Sequence, residues 1–216
     1  MISTHHHLWQ PAEDATRTLV LLHGTGGNEH SLVPLAQKLD PCANVLSPRG
    51  NVLEHGMPRF FRRLAEGVFD MDDLRARSFA LGEWLVAAQR AYGFDAGGTT
   101  IVGYSNGANV ASAMLLLRPD LATGLLSRLA LLRPMLVVTP AAAPELRGAR
   151  VLISAGRADP ITPYLGAHGA KALGEYLIAC GAEVTDAIDD GDHALNHVAL
   201  GATHRWLHAP LNAPVQ

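Results

Sequence analysis

The stretch Thr99–Leu115, TTIVGYSNGANVASAML, passes from a continuous apolar run into a helical pattern, and Ser105 stands between two glycines at the change. Gly103, Tyr104, Ser105, Asn106 and Gly107 meet the pattern G-x-S-x-G. In that pattern small flanking residues let the chain bend sharply from strand to helix, lifting the serine oxygen above the sheet edge at a helix N-terminus. The competing reading is a glycine-rich turn with a capping serine. The strand before and the helix after favour a nucleophile.

Outward from this turn, short apolar runs read as buried strands at Thr18–Leu22, Asn44–Ser47, Thr99–Gly103, Met135–Val138, Arg150–Ala155 and, more weakly, Glu183–Ile188. Helical patterns lie between them, at Ser31–Leu39, Asp72–Tyr92, Gly107–Leu117, His168–Cys180 and Leu195–Leu207. In the second of these, Leu74, Leu81, Leu85 and Ala88 form one stripe, with Asp70 or Asp72 as the cap. Pro119 and Gly181 punctuate two helix ends. Strands alternating with helices along the whole length predict an α/β fold with a mostly parallel central sheet of about 6–7 strands, covered by helices on both faces. At 216 residues the chain is expected to form a single domain, residues 1–216, with a loose tail at 210–216 and no internal repeat.

A serine hydroxyl attacks only when a base removes its proton, and the base needs an acid to hold its tautomer. Asp159 follows the apolar run RVLISAG in a loop stiffened by Pro160 and Pro163, where a strand end would open into the crevice above Ser105. Asp189, Asp190 and Asp192 are rivals better explained as loop or cap residues. Of the 11 histidines, His197, His204 and His208 project from the side of the last helix opposite Leu195, Val198, Ala199, Ala202 and Trp206, which marks them as solvent-facing. His193, in the glycine-containing acidic loop before that helix, is the expected base. Two donors must face the developing oxyanion. The Asn106 backbone N–H supplies one; the other is expected from the loop HGTGG, with Thr25 the first choice and Gly26 the second. That loop lacks the length and the G-K-S/T ending of a nucleotide-binding loop.

The bulk properties limit the alternatives. Formal charge is −3, with 17 basic against 20 acidic residues, so nothing draws in a polyanion and no nucleic-acid partner is expected. The N-terminus MISTHHHLWQ lacks the features of a secretory signal, and no apolar run is long enough to span a bilayer. Cys42 and Cys180 suggest no disulfide framework, and a reducing, cytoplasmic location is expected. The three adjacent histidines could belong to the fold or be an appended tag, and bind metal only weakly. No metal or cofactor is required by the serine chemistry.

The segments LLHGTGGNEHSLVPLA, LSPRGNVLEHGMPRFFRRLAEGVFDMDDL, GYSNGANVA, LISAGRADPITP and GDHALNHVALGATHRWL resemble the phospholipase/carboxylesterase group of α/β-hydrolases, which also contains acyl-protein thioesterases. The second segment resembles the branch of esterases encoded near ring-cleaving dioxygenases or induced by hydroquinones. The resemblance spans about Thr18 to Leu207. It implies Ser105, Asp159 and His193 as nucleophile, acid and base, Thr25 and Asn106 as oxyanion donors, and a small ester or thioester as substrate. A homodimer is the assembly it suggests. Asp192 and Ala199 depart from the family's usual residues near the histidine loop, outside the three reactive positions. Selectivity is expected from residues 48–69, a substrate-site loop or cap segment, where Arg49 and Arg59 with Phe60 could grip a carboxylate or phenolate against an aromatic wall. The plainer reading leaves Arg62 and Arg63 in solvent, Phe60 and Phe61 in the core, and Glu54 paired with an arginine. The leading function is a serine carboxylesterase, ahead of a thioesterase, a non-catalytic binding domain and a peptidase or amidase.

Overall fold

Leu19 and Leu21 pack into one apolar cluster while Val20 and Leu22 pack into another, so a single strand feeds cores on both of its faces. The same division holds at Leu129 and Leu131 against Ala130 and Leu132. Strands buried on both faces lose polar alternation, which is why they read as unbroken apolar runs.

The computed structural model describes residues 5–65 and 67–210. In chain order the elements are β1 (His7–Gln10), β2 (Thr18–Leu22), α1 (Val33–Leu39), β3 (Asn44–Pro48), β4 (Val52–Glu54), β5 (Met57–Arg59), β6 (Arg63–Ala65), β7 (Val68–Phe69) and α2 (Met71–Tyr92). They continue with β8 (Thr99–Tyr104), α3 (Asn106–Leu117), β9 (Arg128–Leu132), β10 (Arg150–Gly156), α4 (Ala170–Ala179), β11 (Glu183–Asp189) and α5 (His197–His208). Seven strands form one sheet in the order β1-β3-β2-β8-β9-β10-β11. All neighbours in it are parallel except β1, which pairs antiparallel with β3. Leu74, Leu81 and Leu85 of α2, the apolar face of α3, and Leu173 and Leu177 of α4 pack into the cluster on one face. Leu35 and Leu39 of α1 and Trp206 and Leu207 of α5 pack into the cluster on the other.

The helix ends follow their side chains. Asp70, rather than Asp72, caps α2 by accepting from Asp73 N, and Gly93 closes it in the left-handed conformation with φ 71°. Asn196 caps α5 by accepting from Ala199 N. Its buried stripe is Ala199, Thr203, Trp206 and Leu207, with Thr203 satisfying its hydroxyl on Ala199 O; Val198, expected inside, is 47% exposed.

One expected strand is displaced. Met135–Val138 forms no strand; the sheet instead takes Arg128–Leu132, which pairs with β8 and β10. Two apolar runs, Leu129–Leu132 and Met135–Val138, stand side by side here, so periodicity alone could not place the strand, and Leu136, Val137 and Val138 are still buried in the core. The edge strand β1 went unread because it is short and half-buried. Residues 48–69 hold two small antiparallel hairpins, β4–β5 and β6–β7. His5 and His7 belong to the fold: His5 is buried with Nδ1 on Arg49 O, and His7 Nε2 meets the Tyr92 hydroxyl at 2.6 Å. The tail expected at 210–216 lies outside the described residues beyond Pro210. Cys42 is exposed and Cys180 buried, both unpaired. Among the described residues no helix is long and apolar enough to cross a membrane.

Candidate active site

Ser105 sits between β8 and α3 with φ 52° and ψ −115°, a conformation that L-residues rarely adopt. The turn is held by Ser105 N donating to Leu132 O at 2.8 Å and by Asn109 N donating to Ser105 O at 2.9 Å. The flanking glycines are steric necessities. A Cβ on Gly107 would lie 1.9 Å from Leu22 O, and one on Gly103 would lie 2.6 Å from Gly107 O. Helix α3 therefore packs its first turn directly on the backbone of β2.

Asp159 lies in the loop after β10 and is 5% exposed. Its Oδ1 accepts from Ile161 N at 2.8 Å and Thr162 N at 2.9 Å, while Oδ2 accepts from the Thr162 hydroxyl at 2.6 Å. His193, in the loop between β11 and α5, places Nδ1 2.8 Å from Asp159 Oδ2 and Nε2 3.0 Å from Ser105 Oγ. Burial pushes the Asp159 carboxyl up, but the hydrogen bonds from Thr162, His193 and Ile161 together outweigh it and hold the group below its ordinary value. Tyr104 donates its hydroxyl to His193 O at 3.1 Å, and the two rings lie 5.4 Å apart. Three residues separated by 34 to 88 positions in the chain are thus aligned at the carboxyl ends of parallel strands, where an open α/β sheet forms its crevice.

The loop after β2 closes the other side. His23 is buried, and burial pushes its imidazole below the usual histidine range; the neutral ring donates from Nδ1 to Gly24 O and accepts Gly50 N at Nε2. Gly26 N is committed to Pro58 O at 3.0 Å, which removes the second-choice donor. Among the described residues the N–H groups of Thr25 and Asn106 have no protein acceptor, and both residues line one cavity with Ser105. That cavity, open to solvent, is completed by Arg59, Arg63, Gly67, Phe69, Asn109, Met135, Ile161 and Thr162.

The three expected substrate residues fare differently. Arg59 lines the cavity, donating to the Thr25 hydroxyl at 2.8 Å. Arg49 does not line it; its guanidinium forks onto Glu29 at 2.6 and 2.7 Å, so a buried acid twenty residues upstream has captured it. Phe60 is also absent from the lining: its ring packs into the core against His23, and only its backbone serves the site, by donating to Asn106 Oδ1 at 2.8 Å. Glu54 pairs with arginines as expected, but with both Arg59 and Arg63. Arg62 pairs with Asp70, whereas Arg63, expected in solvent beside it, lines the cavity. Thr162 and Asn109 carried no signal in the sequence because their positions depend on contacts between distant segments, whereas Arg63 stands out in its arginine-rich segment but cannot be told there from Arg62.

The phospholipase/carboxylesterase family model matches residues 3–209. The chain belongs to the phospholipase/carboxylesterase family of α/β-hydrolases. It is 40% identical over 188 residues to MhqD, a proposed hydrolase of Bacillus subtilis strain 168, covering 87% of this chain and 90% of that protein. The Bacillus cereus carboxylesterase structure matches at 40% identity and a TM-score of 0.88, over 95% of this chain and 94% of that one. A carboxylesterase from Mesorhizobium loti matches at 34% identity and a TM-score of 0.82, over 91% and 90% of the two chains. The protein is a carboxylesterase-type hydrolase.

Proposed function

We propose that the chain cleaves small carboxylic esters through an acyl-enzyme on Ser105. The observation that carries this reading is the continuous relay Asp159 Oδ2–His193 Nδ1 and His193 Nε2–Ser105 Oγ, at 2.8 and 3.0 Å. His193 Nε2 takes the serine proton as Oγ attacks the ester carbonyl, and the oxyanion is met by the N–H groups of Thr25 and Asn106. His193 then delivers that proton to the leaving alcohol. Water, deprotonated by the same nitrogen, attacks the acyl-serine and releases the acid. Asp159 keeps the imidazole in the tautomer with its proton on Nδ1 and stabilises the imidazolium formed in each half-reaction.

A thioester would follow the same steps with a thiolate leaving group, and a matched pair of oxygen and thio esters separates the two activities. The unpaired Cys42 and Cys180 support a reducing compartment, and we place the protein in the cytoplasm. The dimer suggested by the family resemblance is tested by light scattering, with twice the chain mass as the expected result.

The reaction itself is tested by mass spectrometry of the intact protein after exposure to a fluorophosphonate. One adduct is expected on the wild type, none on Ser105→Ala, and slow labelling of His193→Ala. A folded wild type that never labels would make the crevice a binding site without chemistry.

A further inference from the structure

The cavity beside Ser105 has an unbalanced polar lining. Arg59 and Arg63 both line it, and both reach the same carboxylate, Glu54, at 3.2 and 2.6 Å. Among the described residues two positive charges share one negative charge, and none of those lining the cavity is a carboxylate. Arg59 is 3% exposed, with NH1 on the Thr25 hydroxyl and Nε near Phe61 O, so its position is set by the protein.

The amides add donors. Asn106 Oδ1 accepts from Phe60 N and Asn109 Oδ1 accepts from Met135 N, which orients both side chains and leaves their NH2 groups as the uncommitted ends. Asn106 Nδ2 is buried without a partner among the described residues. A buried donor with no acceptor is unfavourable unless a ligand supplies one. The hydroxyls on the lining are already engaged, Thr25 by Arg59 and Thr162 by Asp159. The cavity therefore offers positive charge and donors, with Phe69, Met135 and Ile161 as its apolar walls.

We infer that this cavity takes acyl groups that end in a second, ionised carboxylate, so that the preferred substrates are half-esters of short dicarboxylic acids. The inference rests on the esterase reading and names its substrate class. Arg59 and Arg63 hold the distal carboxylate, assisted by the Asn106 amide, while the ester carbonyl lies at Ser105. Charge-assisted hydrogen bonds of this kind are about twice as strong as neutral ones. His193 gives its proton to the departing alcohol and does not line this cavity, so the alcohol leaves on the histidine side and the acyl group occupies the arginine side. Arg59 is tied to the Thr25 side chain, and the Thr25 N–H is one of the two oxyanion donors, so the distal carboxylate lies close to the ester carbonyl and the link between the two carboxyl carbons is short.

The test compares kcat/KM for monomethyl and dimethyl succinate, followed by proton release. The wild type is expected to prefer the monoester by roughly tenfold or more, and Arg63→Gln to cut that ratio by about tenfold. Arg62→Gln removes the same charge one residue away, where it pairs with Asp70, and is expected to keep both the ratio and the activity. Calorimetric titration with succinate gives a reading independent of turnover: binding is expected to wild type and Ser105→Ala and to weaken in Arg63→Gln. An active enzyme that treats the two esters alike, or an Arg63→Gln variant that slows both equally, would overturn the inference while the esterase reading stands. If no ester is cleaved and no serine adduct forms, the esterase reading fails. The succinate titration then decides the anion site alone, and absence of binding overturns it.

Discussion

Arg133 and Asp189 are buried against each other beneath the loop that carries His193. The guanidinium NH2 of Arg133 lies 3.2 and 3.0 Å from the two Asp189 oxygens and also donates to Ala194 O, next to the histidine. Arg133 is fully buried and has a φ of 56°. Asp189 further accepts from Gly191 N and Asn196 Nδ2, so one carboxylate gathers the end of β9, the histidine loop and the start of α5. Removing either partner strands a buried charge, for which the usual cost is about 3–5 kcal/mol. Arg133→Met and Asp189→Asn should each lower the urea midpoint by a large margin, and the double variant should lose less than the sum of the two. Strict additivity would mean that the pair does not act as a unit.

Asp159 and Thr162 lead to a kinetic expectation. Asp159→Asn removes the acceptor that holds the Nδ1 proton, and a fall of about 10⁴-fold in kcat is expected from the tautomer argument. Thr162→Val deletes the 2.6 Å hydroxyl bond to Oδ2 and the same hydroxyl's 3.3 Å contact with His193 Nδ1, and leaves the backbone donor in place. Its kcat should fall several-fold with KM nearly unchanged. A loss as large as that of the asparagine variant would show that the hydroxyl, rather than the backbone N–H groups, sets the carboxylate's position.

Gly107→Ala tests the contact between α3 and β2. The added methyl would sit 1.9 Å from Leu22 O and 2.7 Å from His23 O, both backbone atoms that cannot rotate away. Destabilisation should exceed the ~1–3 kcal/mol common for overpacking, and the protein should be poorly soluble or melt far below wild type. Gly56→Ala provides contrast. No atom lies within 4 Å of its added Cβ, so only the strain of φ 80° is felt and a much smaller drop in melting temperature is expected.

Glu29 predicts a pH dependence. The bidentate hydrogen bonds from Arg49 hold its carboxyl at about 2, against an ordinary 4.5. A carboxylate depressed in the folded state stabilises the protein above its unfolded value, and that contribution fades as pH falls through the folded one. Arg49→Ala should therefore melt below wild type at pH 6–7, with the gap narrowing between about pH 4.5 and pH 2. A constant gap across that range would show that Arg49 contributes through packing and not through the ion pair.

Much of the site was legible because its chemistry is tied to local pattern. Ser105 stands in a five-residue turn whose glycines are dictated by backbone contacts, and Asp159 and His193 each follow a strand, the two strands being parallel neighbours that end at the same edge of the sheet. Which arginines reach the cavity was less legible. Arg49 and Arg59 are alike in sequence, but Glu29 claims one while Thr25 and Glu54 hold the other in the cavity. Arg62 and Arg63 are adjacent, and the hairpins of residues 48–69 point one to Asp70 and the other to Glu54.

By itself the sequence determined the alternation of strands and helices and the strand-turn-helix around Ser105, because each depends on residues close together in the chain. Only the tertiary structure decided which apolar run between Leu125 and Val138 became β9, which arginines reached the cavity, and that Arg133 and Asp189 join beneath the histidine loop. Those outcomes turn on which charged groups meet after the sheet has assembled. A buried charge takes whichever partner the packing brings within reach, and composition and spacing carry no record of that choice.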